Sequence, residues 1–260
     1  MKSNPVIDSL MKRASVRRYT DEEPLDESIE SIVCAGQQAP FAYQIYSVLL
    51  SRKKDSNPFG APVLFTICVD SHKLECVMKR SGWQLVTNDL TLLLFGIQDA
   101  AYMAQNMVIA AESLGLGSCY LGAAPYMAEE IIKEYSLPER VFPLVQLAMG
   151  FPDEPEIPRP RYPLSFTLFE DTYPVLNETD ILAAMNEMDE GYLSQEYYRR
   201  AGVQIDLENG KEETHSFSSY SWTEHISRKA GQWHPSPDEL LEQFRKCGFR
   251  LSPGNTGTVD

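Results

Sequence analysis

"NDLTLLLFGIQDAAYMAQNMVIAAESL", Asn88 to Leu114, is the stretch on which the fold turns. Its apolar residues lie nearly all round a helical wheel rather than along one stripe, which predicts a helix buried on most sides. At ~1.5 Å per residue it would run roughly 40 Å. That length leaves two ways of burying it: an interface with a second copy of the chain, or a kinked helix inside a single core.

Outward from this helix the chain reads as strands and shorter helices. "IYSVLLSR" (Ile45–Arg52) and "PVLFTICVD" (Pro62–Asp70) read as strands, the second almost wholly apolar and therefore central. "FPLVQLAMGFP" (Phe142–Pro152) is a further strand. "NPVIDSLMKRAS" places Val6, Ile7, Leu10 and Met11 at helical spacing, so a short helix should end near Arg13. In "LDESIESIVCAGQQAP" Asp26 is the expected N-cap of a second helix, with Ile29, Ile32 and Val33 as its apolar face. "GLGSCYLGAAP" (Gly115–Pro125) reads as a glycine-punctuated loop, "MAEEIIKEYSLP" as a short acidic helix, and "SPDELLEQFRKCGF" as a terminal helix capped by Ser236 and stopped by Gly248. This order is no regular βαβ alternation. It predicts an α+β fold, a mixed sheet flanked by helices. Composition turns more polar near residue 176, so a core of 1–176 and an extension of 177–260 are expected.

The bulk numbers exclude several classes. Of 260 residues, 43% are hydrophobic and the net charge is −14. That balance argues against nucleic acid and against anionic membrane surfaces. No run reaches the ~18 apolar residues of a membrane span. Five scattered cysteines without a CxxC pair give neither a disulfide framework nor a metal site, and suit a reducing cytoplasm. The beginning lacks the apolar core of a signal peptide.

Within so acidic a chain, "MKRASVRRYT" (Met11–Thr20) gathers cations. If the segment is extended, Arg13, Ser15 and Arg17 share one side. Two guanidinium forks and a hydroxyl suit a phosphate. The competing reading is a basic surface turn paired with Asp21 and Glu22. Arg159 and Arg161 sit among Pro158, Pro160 and Pro163, which stiffen their backbone; here the alternatives are a preorganised anion clamp and a decorated loop. Gly115, Gly117 and Gly122 permit positive φ and close backbone approach. No GxGxxG follows a strand, and there is no GxxxxGK[ST]. Cys119 has no base partner in the sequence and reads as a packed thiol.

Taken together, "RASVRRY", the "APFAYQIY" after the second helix, "NMVIAAESLGLGS", and "AMGFPDEPEIPRPR" resemble, in order and spacing, the FMN-dependent nitroreductase family over residues 5 to 175. The resemblance implies a nitroreductase-like α+β fold with the long helix at a homodimer interface. It implies that Arg13, Ser15 and Arg17 hold the FMN phosphate, joined by Arg161 with Arg159 close by. Leu121, Gly122 and Ala123 stand where the family presents backbone N–H groups to the flavin. Phe41, Ala42 and Gln44 stand where the partner subunit meets the ring. "APFAYQIY" is shorter than the family's "AP-S-x-x-N-x-Q-P-W", and Ala42 and Tyr46 replace its Asn and Trp.

The activity implied is transfer of reducing equivalents from NADH or NADPH through FMN to an electron-poor acceptor, a nitroaromatic or a quinone, with no catalytic side chain required. A dehalogenase-like or flavin-fragmenting reaction and a flavin-binding sensor or storage protein are the alternatives. The extension, with its "YSWTEHISRKAGQWHPS", is expected to form an arm wrapping the partner subunit, the alternative being an active-site lid.

Overall fold

The computed structural model describes residues 2–208 and 210–251. The chain opens with α1 (Pro5–Lys12), capped by Asn4, whose side chain accepts the N–H groups of Val6 and Ile7. Then come α2 (Asp26–Gln37), β1 (Tyr46–Ser51), β2 (Val63–Asp70), α3 (His72–Arg80), α4 (Asp89–Ser113), β3 (Gly117–Leu121), α5 (Ala128–Tyr135) and β4 (Val141–Gly150). The later helices are α6 (Glu178–Ser194), α7 (Tyr197–Ala201), α8 (Trp222–Gln232) and α9 (Pro237–Lys246).

The sheet has the order β1-β2-β4-β3. Its strands pair antiparallel throughout. The expected mixed character is confined, among the described residues, to a one-residue parallel bridge between Ser15 and Ser118. β2 is central and buried at every position, as its continuous apolar run requires. α4 crosses the sheet with α2 against it. Ile32, Phe65, Ile67, Met103, Met107, Val108, Leu147 and Met149 form the main core between them.

α4 is one unbroken helix of 25 residues, about 37 Å long. Asn88 caps it by accepting the N–H of Thr91 at 2.9 Å. Gly115, at φ +80, ends it. Leu90, Leu94, Ile97 and Tyr102 stay exposed along one side.

Two local expectations are corrected, and one helix went unread. Asp26 is the first helical residue rather than the cap; Leu25 takes the cap position, and the Asp26 side chain pairs with Arg52. The glycine loop is strand β3 from Gly117 to Leu121. Of its three glycines only Gly115 has a positive φ, while Gly117 is needed because a Cβ there would meet Val16 Cγ2 at 2.4 Å. α3 has no buried residue, although Leu74, Val77 and Met78 lie at helical spacing.

The chain divides into two compact units, one of Met1–Ile157 with Ser236–Asp260 and one of Pro158–Pro235. The expected boundary at 176/177 falls inside the second unit, and the terminal helix returns to the first. The reason is apolar and ionic docking. Phe244 stacks on Phe142 with ring centroids 4.2 Å apart, and Cys247 and Phe249 are buried. Arg140 reaches Glu75 and Asp89, each at 2.7 Å, and donates to the carbonyl of Gly248 at 3.1 Å. The last part of the expected extension, 252–260, lies outside the described residues.

The second unit is built on aromatic packing. Tyr192, Tyr198 and Tyr220 are buried together, and Trp222 stacks on Tyr192 at 5.4 Å. Arg228 runs through its interior to Glu213 and Glu224.

Candidate functional site

The basic segment leaves α1 in extended conformation, Arg13 lying at φ −56 and ψ 127. The N–H of Val16 donates to the carbonyl of Ser118 at 2.9 Å, and that of Thr20 to Phe151 at 2.9 Å. The segment is thereby fixed along β3 and the exit of β4. Val16 is buried, so alternation sets Ser15 and Arg17 on the other side, with Arg13 in the same register. Tyr19 locks the turn beyond: its hydroxyl lies 2.7 Å from the Val16 carbonyl and 3.1 Å from that of Ala148. Burial pushes that phenol far above its ordinary range.

Two nearby acids pair with cations other than Arg13 and Arg17. Lys54 takes Asp21, and Arg18 pairs with Glu154 at 3.1 Å. Among the described residues neither Arg13 nor Arg17 is in an ion pair. Arg17 lies over the Phe59 ring at 5.9 Å and reaches the Ser15 carbonyl at 3.5 Å. The field of Arg13 falls on Glu112 and Tyr120. Burial raises the Glu112 carboxyl and Arg13 opposes it; the Tyr120 phenol is pushed up to about 12 by burial, again against Arg13.

The same strand leads to Leu121, Gly122 and Ala123. Leu121 pairs with Gln146 at the end of the ladder. Gly122 is exposed, and a Cβ added to it would meet nothing within 4 Å. Leu121 stands three residues beyond the bridge at Ser118, about 10 Å along the strand. Ser118 is itself buried, with a side-chain oxygen that has no hydrogen-bond partner among the described residues. The donor set of Arg13, Ser15 and Arg17 beside an open strand end fits the phosphate of a cofactor.

The loop carrying Phe41, Ala42 and Gln44 is held by a residue the sequence does not flag. Asp99, on α4, is buried to 1% exposure. Its carboxylate accepts the N–H groups of Ala42 at 2.6 Å, Tyr43 at 3.1 Å and Ile45 at 3.2 Å. Tyr43 also meets Phe95 edge-on at 5.4 Å. Phe41 is left 55% exposed. A lone acid in an apolar helix carries no motif; only its isolation among apolar neighbours could have drawn attention to it.

Arg159 and Arg161 belong to the second unit. Arg159 stacks on Tyr197 at 3.9 Å. Arg161 folds back on its own loop, donating to the carbonyls of Arg159 at 3.1 Å and Pro160 at 3.0 Å. Cys119 is buried, as expected of a packed thiol.

An antiparallel sheet crossed by a long helix, with a basic strand laid beside the sheet edge, defines a class of α+β proteins. The comparisons assign this chain within it. The profile described as "Nitroreductase family" matches residues 49–151. A Cr(VI) reductase of Pseudomonas sp. (strain G-1) is 34% identical over 70% of this chain and 81% of its own length. An FMN reductase (NAD(P)H) of Bacillus subtilis is 30% identical over 95% and 99%. Among solved structures, the oxidoreductase YcnD of B. subtilis superposes with a TM-score of 0.79 at 28% identity, covering 96% of this chain and all of that one. The chain belongs to the nitroreductase family.

Proposed function

We propose that this protein is an FMN-dependent oxidoreductase that passes reducing equivalents from NADH or NADPH to an electron-poor small molecule such as a nitroaromatic or a quinone. The observation that carries the reading is the pair Arg13 and Arg17: extended, fixed beside β3, and in no ion pair among the described residues, in a chain of net charge −14. The family relatives include an FMN reductase and an oxygen-insensitive NADPH nitroreductase. FMN, when bound, supplies a two-electron carrier that accepts hydride from a nicotinamide and delivers it to the acceptor.

The chain's own part is to hold and orient that carrier. Arg13 and Arg17 neutralise its phosphate and Ser15 adds a hydroxyl. The backbone N–H groups of Leu121, Gly122 and Ala123 would bond its ring edge. Phe41, Ala42 and Gln44 would cover the ring of a second subunit. Each charge-assisted bond contributes about 1.5–3 kcal/mol, so losing one arginine weakens FMN binding roughly 10- to 100-fold. The exposed side of α4, with Leu90, Leu94, Ile97 and Tyr102, supports a homodimer. Among the described residues no helix is long and apolar enough to cross a membrane; use of NAD(P)H supports a cytoplasmic location.

The test is the visible spectrum of the purified protein before and after anaerobic NADPH. A flavin spectrum that bleaches supports the reading. A colourless wild type that takes up no added FMN overturns it. Bound flavin that NADPH barely reduces would favour a sensor or storage role instead. Arg13→Ala with Arg17→Ala should give a folded, colourless protein; Arg161→Ala, measured alone, asks whether the second unit's arginine contributes.

A further inference from the structure

We propose that Asp99 is a positioning residue for the reaction, fixing the shape of the loop from Phe41 to Ile45. The proposal rests on the flavin reading above, which puts that loop at the ring. Its physical basis is on α4 itself. A carboxylate at 1% exposure is costly to bury unless its oxygens are bonded. Its partners here are three backbone N–H groups of one loop, those of Ala42, Tyr43 and Ile45, and it has no ion pair among the described residues. A helix that only needed to fill a core would carry an apolar residue at this place. Asp99 instead converges three donors within four residues, which a loop can present only in one backbone shape.

That shape is strained. Gln44, the one residue of 42–45 whose N–H does not reach Asp99, lies at φ +57, a left-handed conformation that disfavours a residue with a Cβ. It persists because the bonds on both sides hold it. The Tyr43–Phe95 contact, one helical turn before Asp99, pins the same loop to the same helix. The loop then forms one wall of a cavity of about 390 Å³, with Lys73, Leu74 and Val77 of α3 on the other side. Volumes of that order take small ligands. Asp99 itself lines no part of it, so its influence on a ligand runs through the backbone of Ala42 to Ile45.

The experiment compares wild-type holoenzyme with Asp99→Asn, which keeps the side chain's shape and one acceptor oxygen but loses the charge. Three quantities are read: FMN content, hydrogen exchange at the amides of 42–45, and steady-state kinetics with NADPH and nitrofurazone. The expected result is FMN content within about twofold of wild type, loop amides exchanging about tenfold or more faster while α4 stays protected, and KM for the acceptor raised about tenfold with kcat changed less than about threefold. Unchanged loop exchange, or faster exchange with unchanged KM, overturns the proposal. Should Asp99→Asn not fold, Asp99→Glu keeps the charge but displaces the oxygens from the three N–H groups by one methylene, and it is judged by the same readouts. A wild type without flavin sinks the flavin reading and this proposal with it. A yellow wild type with an indifferent Asp99→Asn sinks this proposal alone.

Discussion

The backbone N–H of Val16 donates to the carbonyl of Ser118 at 2.9 Å, and Gly117 is what allows the two segments to approach. A Cβ on Gly117 would lie 2.4 Å from Val16 Cγ2 and 2.9 Å from Pro152 Cγ. Gly117→Ala should therefore push the basic segment off β3. Overpacking of this kind costs about 1–3 kcal/mol. The expected outcome is a folded protein with a lower melting temperature and weaker FMN retention, measured by flavin released on dialysis. Full retention would mean that the register of Arg13, Ser15 and Arg17 against β3 has no part in holding the cofactor.

Gly96 does the corresponding work under α4. A Cβ there would sit 2.3 Å from Val69 Cγ1 and 3.3 Å from Ile45 Cδ1. Both neighbours are fully buried, so neither side chain has room to yield. Gly96→Ala removes a helix-interior glycine, a gain of about 1 kcal/mol by propensity alone. Overpacking outweighs that gain, and a net loss of about 1–2 kcal/mol is expected by denaturant titration. A stabilised variant would show that helix propensity wins at this contact.

Much of this arrangement was legible in the residues. α4 announced itself by apolar residues all round, β2 by an unbroken apolar run, and Arg13, Ser15 and Arg17 by alternation in a short basic stretch. What stayed hidden has physical reasons. β3 is five residues long and begins with a glycine, a signal that ordinarily marks a turn; only the tertiary approach of Val16 explains it. α3 shows Leu74, Val77 and Met78 at helical spacing, but the stripe spans little more than one turn among charged residues. Asp99 works through backbone donors that are distant in sequence, and no side-chain pattern encodes them. The docking of α9 depends on Phe244, Cys247 and Phe249 meeting Phe142, which composition alone assigned to a separate tail.

That docking should be sensitive to acid. Hydrogen bonds from Lys133 and Lys246 lower the Glu129 carboxyl from 4.5 to about 2. Lys133 lies on the same helix, α5, while Lys246 comes from α9. A depressed carboxylate contributes stability that is fully present above its ordinary value and is lost as pH falls through the folded one. The α5–α9 tie should thus weaken progressively from about pH 4.5 toward pH 2. Cys247, buried directly behind α9, reports the opening through its reaction with 4,4'-dithiodipyridine. The expected outcome is slower labelling in wild type than in Glu129→Gln at pH 6, with the difference shrinking as pH falls below about 4.5 and the two rates converging toward the acid end. Equal rates in the two proteins at pH 6 would show that the Glu129–Lys246 pair does not hold the helix.

In the second unit the corresponding clasp is Arg228. Its Nε donates to Glu224 at 2.6 Å, and its Nη1 donates to Glu213 at 2.6 Å and to the Ile205 carbonyl at 2.7 Å. The guanidinium also lies over the Tyr220 ring at 5.1 Å. Arg228→Met keeps the apolar stem but leaves two carboxylates facing one another without a cation. Removing one partner of a buried pair costs about 3–5 kcal/mol, and the partial exposure of both acids puts this case at the low end, about 3 kcal/mol. Adding Glu213→Gln and Glu224→Gln should restore most of the loss, since uncharged amides tolerate the apolar neighbour. Limited proteolysis checks it: Arg228→Met should be cut between residues 204 and 217 at a rate the triple variant does not show. If both variants resist cleavage equally, the aromatic packing of Tyr192, Tyr198 and Tyr220 is sufficient to hold the unit and the arginine clasp adds nothing measurable.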